Sequence, residues 1–127
     1  MDKKDTFTLR KRFASTRFAY AGIFTLIREE HNARIHLFAT VLVIALAIVF
    51  DLTAEQWLSL VISTGLVWMA EGFNTAIELL CNLVNPGQHP QVKKIKDVAA
   101  AAVLITAIMA VVVGLIIFVP QLIQLVS

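Results

Sequence analysis

The chain has 127 residues, of which 58% are hydrophobic, and its formal net charge is +2. Soluble globular domains are roughly half apolar, so this composition excludes an ordinary soluble domain. The apolar runs are long and show no strand alternation, which predicts a single all-α membrane domain over residues 1–127. A nucleic-acid partner is not expected in so apolar a chain. The single cysteine, Cys81, excludes an intramolecular disulfide.

Residues 1–30 form the first segment in chain order, and a helical pattern starts near Leu9. One side of this helix is apolar and aromatic, and the other carries basic residues. The apolar side is formed by Phe13, Phe18, Ala21, Phe24 and either Leu26 or Ile27. A basic amphipathic helix with aromatic residues predicts a surface helix at the cytoplasmic membrane face. No cleavable signal peptide is predicted, because the early residues lack a compact apolar core.

Three apolar segments follow, and they predict transmembrane helices at residues 33–54, 56–84 and 92–119. The third is the clearest, because from residue 98 onward it is apolar except for Thr106. The unbroken apolar core of the first is short for a membrane span. An interfacial or re-entrant helix is therefore the alternative for that segment.

The sequence also predicts where the later helices end. The run Asn-Pro-Gly-Gln-His-Pro at residues 85–90 has strong turn chemistry and should separate the second helix from the third. Pro120 is expected to bend or end the third helix.

The eleven Lys and Arg residues are segregated along the chain. Eight precede the first span and three lie between the second and third spans; they are Lys3, Lys4, Arg10, Lys11, Arg12, Arg17, Arg28 and Arg34, then Lys93, Lys94 and Lys96. The connection around Asp51 and Glu55 has none. By the positive-inside rule, the N-terminus is cytoplasmic and the C-terminus lies outside.

Glu71, Asn74 and Glu78 interrupt the second apolar segment. Offsets of three and seven residues place them on one helical face. An ionised carboxylate in hydrocarbon costs a contested ~3 kcal/mol or more, so these groups are expected to face cations, water or a substrate. Glu30, before the first span, and Lys96, at the start of the third, approach the same membrane face.

These residue types fit more than one chemistry. Acidic oxygens suit Mg²⁺ that also binds substrate phosphates, a lysine can take phosphate charge, and a further carboxylate can accept a proton. Such a set can perform phosphoryl transfer. Intramembrane carboxylates equally suit an ion or proton path. Gly72, Gly87 and Gly114 do not have the spacing of a phosphate-binding loop.

Two motifs resemble the prokaryotic diacylglycerol kinase family, small membrane lipid kinases that include the undecaprenol kinases. They are Glu71-Gly-Phe-Asn74-Thr-Ala-Ile-Glu78 and Lys96-Asp97-Val-Ala-Ala-Ala-Ala-Val-Leu104. Glu30-His-Asn32-Ala-Arg34-Ile-His36 is similar to the segment that precedes the family's first span, slightly more so in the undecaprenol kinase branch. The resemblance covers about Arg12 to Leu104.

The resemblance implies a homotrimer in the bacterial cytoplasmic (inner) membrane, with one surface helix and three transmembrane helices in each subunit. It implies ATP as co-substrate, Mg²⁺ as cofactor, and a lipid alcohol, undecaprenol or diacylglycerol, as acceptor. The γ-phosphoryl group of ATP would pass to the lipid hydroxyl at the cytoplasmic surface. With only three spans in each subunit, we expect the sites to be shared between subunits.

The resemblance also implies a role for each matching residue. Glu71 corresponds to the catalytic base, with Asn74 and Lys96 as the other catalytic residues. Glu30 and Glu78 correspond to the metal-binding glutamates. The implied ATP-binding residues are Lys96, Asp97, His89 and Arg12.

Three positions depart from the family pattern. Asn82 stands where the family usually has Asp, Ala21 where it often has Lys, and Phe18 where it often has Tyr. Two alternatives to a lipid kinase therefore stay open. One is a small ion-coupled transporter or channel subunit. The other is a catalytically inactive family member that acts as a lipid-binding or assembly protein, which Asn82 favours.

Overall fold

A computed structural model describes residues 8–127 of the chain; residues 1–7, including Lys3 and Lys4 of the basic set, lie outside the described part. The described residues form four helices, α1 (Leu9–Glu29), α2 (His31–Val49), α3 (Ala54–Val84) and α4 (Pro90–Val126). The all-α architecture is confirmed. Helices α2, α3 and α4, with 19, 31 and 37 residues, are long and apolar enough to cross a membrane.

The three long helices start two residues before the expected positions, and larger differences occur at two of their ends. Helix α2 ends at Val49, whereas the expected first span continued to residue 54. Helix α4 passes through Pro120 and continues to Val126, so Pro120 does not end it. Proline removes one backbone N–H, here the one that would bond to the carbonyl of Ile116. Apolar membrane helices tolerate this loss because neighbouring groups and local adjustments satisfy the carbonyl.

A tight turn joins α2 to α3. Asp51 has a φ of 49°, and the N–H of Leu52 donates to the carbonyl of Ala47 at 3.3 Å. This is the left-handed helix ending that usually carries glycine or asparagine, and aspartate adopts it at lower cost than most residues. Thr53 then caps α3, because its hydroxyl accepts from the N–H of Gln56 while the Gln56 side chain accepts from the N–H of Thr53.

The predicted turn between α3 and α4 contains two hydrogen bonds from backbone to side chain. The Asn85 side-chain oxygen accepts from the N–H of Gly87 at 3.0 Å. His89 accepts at Nδ1 from the N–H of Gln91 at 3.1 Å, which makes it the N-cap of α4. Pro90 occupies the first helical position, where the missing N–H costs nothing.

A single residue, Glu30, separates α1 from α2, and its backbone is extended at φ −103° and ψ 118°. The Arg34 guanidinium reaches back to the end of α1. Its Nε donates to the carbonyl of Ile27 at 3.0 Å, and its Nη2 donates to the carbonyl of Arg28. A cation on the last carbonyls of a helix satisfies their hydrogen bonds and complements the helix dipole. Arg34 therefore fixes the angle between the two helices and the position of Glu30.

Helix α3 packs mainly against α4, and α2 packs against α3. A buried apolar cluster lies at the α2–α3 turn, where the Phe50 and Phe118 rings are 6.2 Å apart; its members are Ala47, Leu52, Leu60, Ile117 and Phe118. Many large apolar side chains on the three long helices stay exposed in the single chain. Such a surface suits acyl chains or other subunits.

Candidate functional site

The polar face predicted on α3 is buried in the single chain. Glu71 is 1% exposed, Asn74 is 7% exposed and Thr75 is 5% exposed. The Asn74 amide nitrogen donates to Glu78 Oε1 at 3.2 Å, one helical turn further along. The structure therefore brings Glu71, Asn74 and Glu78 together, and it adds Thr75, which the sequence reasoning missed. Thr75 could have been predicted from its position four residues after Glu71, because this spacing places both side chains on the same helical face.

Several oxygens on this face have no hydrogen-bond partner among the described residues. They are both carboxylate oxygens of Glu71, Oδ1 of Asn74 and Oγ1 of Thr75. Buried polar groups are normally paired, because leaving one unpaired costs about 1–3 kcal/mol and more for a charged group. A buried carboxylate without a formed hydrogen bond, within an apolar helix, is therefore a strong indication of a ligand or reactant at this position.

His36 on α2 faces this carboxylate, with Nε2 3.5 Å from Glu71 Oε2. The ring of Trp68 lies edge-on to the imidazole at a centroid distance of 6.5 Å. Trp68 Nε1 donates to Thr40 Oγ1 at 3.0 Å, and the Thr40 hydroxyl donates to the carbonyl of His36 at 2.6 Å. Sequence reasoning gave none of these three residues a role, although His36 closes the motif that starts at Glu30.

Glu30 and Glu78 both lie close enough to Glu71 to repel its charge. Within residues 8–127, no three His, Cys, Asp or Glu side chains form a group arranged to hold a metal ion. Mg²⁺ does not need such a cage, because it usually binds one or two carboxylates together with substrate phosphates and water. Carboxylates beside the unpaired Asn74 oxygen therefore fit Mg²⁺ that arrives with a nucleotide.

Lys96 lies further along the pair α3–α4. Its Nζ donates to the Asn82 side-chain oxygen at 2.7 Å. Asn82 follows Glu71 by eleven residues on the same helix, about 16 Å at 1.5 Å per residue. Within the single chain, the Lys96 ammonium is therefore held more than two helical turns from the Glu71 carboxylate.

The remaining ATP-binding candidates are spread over the chain. Asp97 pairs with Lys93, whose Nζ is 2.6 Å from Oδ2, on an exposed face of α4. His89 caps the same helix through Nδ1. Arg12 is exposed near the start of α1 and lies about 26 Å along that helix from its end at Glu29. The structure does not bring these three residues to Glu71 within the single chain.

A cavity of about 290 Å³ opens between α2, α3 and α4 beside the carboxylate cluster. His36, Thr40 and Trp68 line one part of it, and small residues such as Ala107 and Gly114 line the opposite side on α4. The lining is mostly apolar, as expected for a space within membrane helices. The site thus combines an acid–base group, oxygens for a cation and a neighbouring apolar space.

Comparison with known proteins agrees with the motifs. Residues 17–118 match the family described as "Prokaryotic diacylglycerol kinase". The chain is 34% identical over 123 residues to a protein of Bacillus subtilis named undecaprenol kinase, covering 96% of this chain and 100% of that protein. It is 39% identical over 112 residues to a diacylglycerol kinase of Synechocystis sp., covering 87% of this chain and 64% of that protein.

The match extends from α1 across the Glu71 and Lys96 motifs to the second half of α4, and it confirms the resemblance drawn from the motifs. The chain therefore belongs to the prokaryotic diacylglycerol kinase family.

Proposed function

We propose that the protein is an integral-membrane lipid kinase that transfers the γ-phosphoryl group of ATP to a lipid hydroxyl at the cytoplasmic membrane surface. The observation that carries this proposal is the Glu71 carboxylate, which is buried within a membrane-length helix and has no hydrogen-bond partner in the described chain. A general base that accepts a hydroxyl proton only when the lipid substrate is bound would explain this buried carboxylate. Family membership supports the same activity.

Each residue of the site has its own role in the proposed phosphoryl transfer. Glu71 accepts the proton of the lipid hydroxyl while that oxygen bonds to the γ-phosphorus and the bond to ADP breaks. Glu30 and Glu78 would hold Mg²⁺, and Asn74 keeps Glu78 in place through their hydrogen bond. When bound, Mg²⁺ neutralises charge on the phosphate oxygens. Lys96 contributes a further positive charge to the phosphates.

The acceptor we propose is undecaprenol or diacylglycerol, the two lipids in the names of the relatives. Purified protein in detergent micelles with labelled ATP and Mg²⁺, offered the two lipids in parallel, tests the activity and identifies the acceptor. Ion flux in proteoliposomes without ATP turnover would instead support the transporter alternative. A protein that phosphorylates neither lipid would support the inactive-member alternative.

Replacing the base tests the role of Glu71. We expect Glu71→Gln to lower kcat by about 10²- to 10⁴-fold, the usual contribution of general acid–base catalysis, with little change in the KM for ATP. Glu78→Gln should also lower activity, and added Mg²⁺ should partly restore it. The measurement is transfer of label from ATP to lipid.

Glu55→Gln is the matched control, because Glu55 lies in the first turn of the same helix and is exposed. It should keep wild-type activity. A Glu71→Gln protein with wild-type kcat would remove Glu71 from the mechanism.

The contact between Asn82 and Lys96 gives a second prediction. Asn82→Ala removes the oxygen that holds the ammonium, so we expect the KM for ATP to rise roughly three- to tenfold, as for the loss of one hydrogen bond. Asn82→Asp keeps an acceptor at the same place and should stay within about threefold of wild type. Initial rates against ATP concentration measure both. Equal KM values for wild type and Asn82→Ala would mean that the contact has no role in nucleotide binding.

We propose that α1 lies on the cytoplasmic membrane surface and that the C-terminus lies outside. Most of α1 is exposed, including Phe13 and Phe24, and only Leu26 is buried. The basic residues lie before the first span and after the second, and none lies between these two spans, which supports this orientation.

Cysteine labelling tests the orientation in a Cys81→Ala background. An impermeant maleimide should label Ser127→Cys in intact cells, whereas it should label Lys94→Cys only after the membrane is permeabilised. Labelling of Lys94→Cys in intact cells would contradict the orientation.

We propose that the functional unit is a homotrimer in which Lys96 and Glu71 of one site come from different subunits. The support is geometric: Lys96 is held at Asn82, about 16 Å along α3 from Glu71 in the same chain. Exposed apolar faces on the long helices offer the surface for assembly.

Subunit mixing tests this arrangement. Glu71→Gln and Lys96→Gln homo-oligomers should each be nearly inactive. Oligomers formed from an equal mixture should recover roughly a quarter of wild-type activity, since random neighbours supply both intact residues at that frequency in a cyclic assembly. If the mixture is as inactive as the separate variants, each site takes both residues from one chain.

A further inference from the structure

His36 is the side chain that comes nearest to acting as a hydrogen-bond partner of Glu71. Its Nε2 lies 3.5 Å from Glu71 Oε2, and its side chain is 20% exposed, so it links the buried carboxylate to a more accessible region. The separation is longer than a formed hydrogen bond. Catalytic hydrogen bonds in ligand-free structures are often long and shorten when substrate binds.

The other charged groups that act on Glu71 are of the wrong sign. Glu30 and Glu78 are carboxylates, and they repel it. Both oxygens of Glu71 lack a hydrogen-bond partner in the described part of the chain. Among the described residues, His36 is the one whose ring nitrogen lies within reach of this carboxylate and can offer it an N–H.

The imidazole packs against Trp68, and Trp68 is itself held by Thr40 on α2. The Trp68 ring packs edge-on against the imidazole, with an angle of 65° between the ring planes. The Trp68 indole N–H donates to the Thr40 hydroxyl, which in turn donates to the carbonyl of His36 one turn earlier on α2. This chain of contacts fixes α2 against α3 at the level of the site, and it holds the Trp68 ring in place against the imidazole.

We propose that His36 is a positioning residue for the phosphoryl transfer, in which its Nε2–H donates to Glu71 Oε2 and leaves Oε1 to accept the proton of the lipid hydroxyl. The inference rests on the proposed lipid kinase activity. The proton passes from the hydroxyl to Oε1 as the lipid oxygen bonds to the γ-phosphorus and ADP leaves. Trp68 and Thr40 contribute indirectly, because they hold His36 in place.

Three variants and a control test the proposal in the full-length protein. His36→Leu should lower kcat about ten- to a hundredfold, as expected for one hydrogen bond to a charged group, with the KM values for ATP and lipid unchanged. His36→Gln keeps an N–H donor and should recover most of that loss. Trp68→Phe keeps a ring but loses the bond to Thr40, so kcat should fall severalfold. His31→Leu, at an exposed histidine of the same helix, should keep wild-type kcat.

A double mutant separates positioning from a general structural role. If His36 acts through Glu71, adding His36→Leu to Glu71→Gln should lower the residual kcat no further. A further tenfold loss in that background would overturn the proposal, as would wild-type kcat in His36→Leu or an equal loss in His36→Leu and His36→Gln. Circular dichroism and gel filtration in detergent establish that each variant is folded.

If His36→Leu does not fold, Trp68→Phe decides the question, and unchanged kcat there overturns the proposal. A protein that lacks the proposed lipid kinase activity altogether would give a different result. In that case the wild-type protein phosphorylates neither undecaprenol nor diacylglycerol, whichever residue stands at position 36.

Discussion

Burial of the Glu71 carboxylate is the constraint on which the rest of the structure depends. The side chain is 1% exposed within a helix long and apolar enough to cross a membrane. A charge in that environment is unfavourable unless polar groups surround it. Asn74, Thr75 and Glu78 extend along the same face of α3, and His36 approaches from α2. Polar groups of two separate helices thus meet at one point of the apolar interior.

The connections between helices place these segments. Arg34 binds the last carbonyls of α1 and so fixes Glu30 at the junction beside α3. At the opposite end of α2, the left-handed Asp51 and the capped start of α3 reverse the chain without a flexible loop. Short, capped turns keep α2 and α3 in a fixed register, and this register places His36 opposite Glu71.

Much of this arrangement was predictable from sequence. The long apolar runs predicted the helices, and offsets of three and four residues predicted that Glu71, Asn74 and Glu78 share a face. The sequence left open whether Pro120 bends or ends α4, because proline usually ends helices in water but is tolerated within apolar surroundings, and the helix continues through it.

The residues that contact the acidic face could not be predicted from the sequence either. His36 and Glu71 are 35 residues apart, and only the packing of α2 on α3 brings them together. The same holds for Lys96 and Asn82, which meet across the α3–α4 turn. Helical periodicity relates residues within one helix, and it contains no information about the rotation of one helix relative to another.

The junction at Glu30 has a consequence for how the membrane affects the protein. One extended residue joins α1 to α2, and Arg34 ties the two helices together from the other side. A change in the tilt of α1 must therefore displace the Glu30 backbone directly, since no spacer absorbs the rotation. On the surface position proposed for α1, bilayer thickness and headgroup charge, which set how deeply such a helix lies, would act mechanically on an acidic residue next to Glu71.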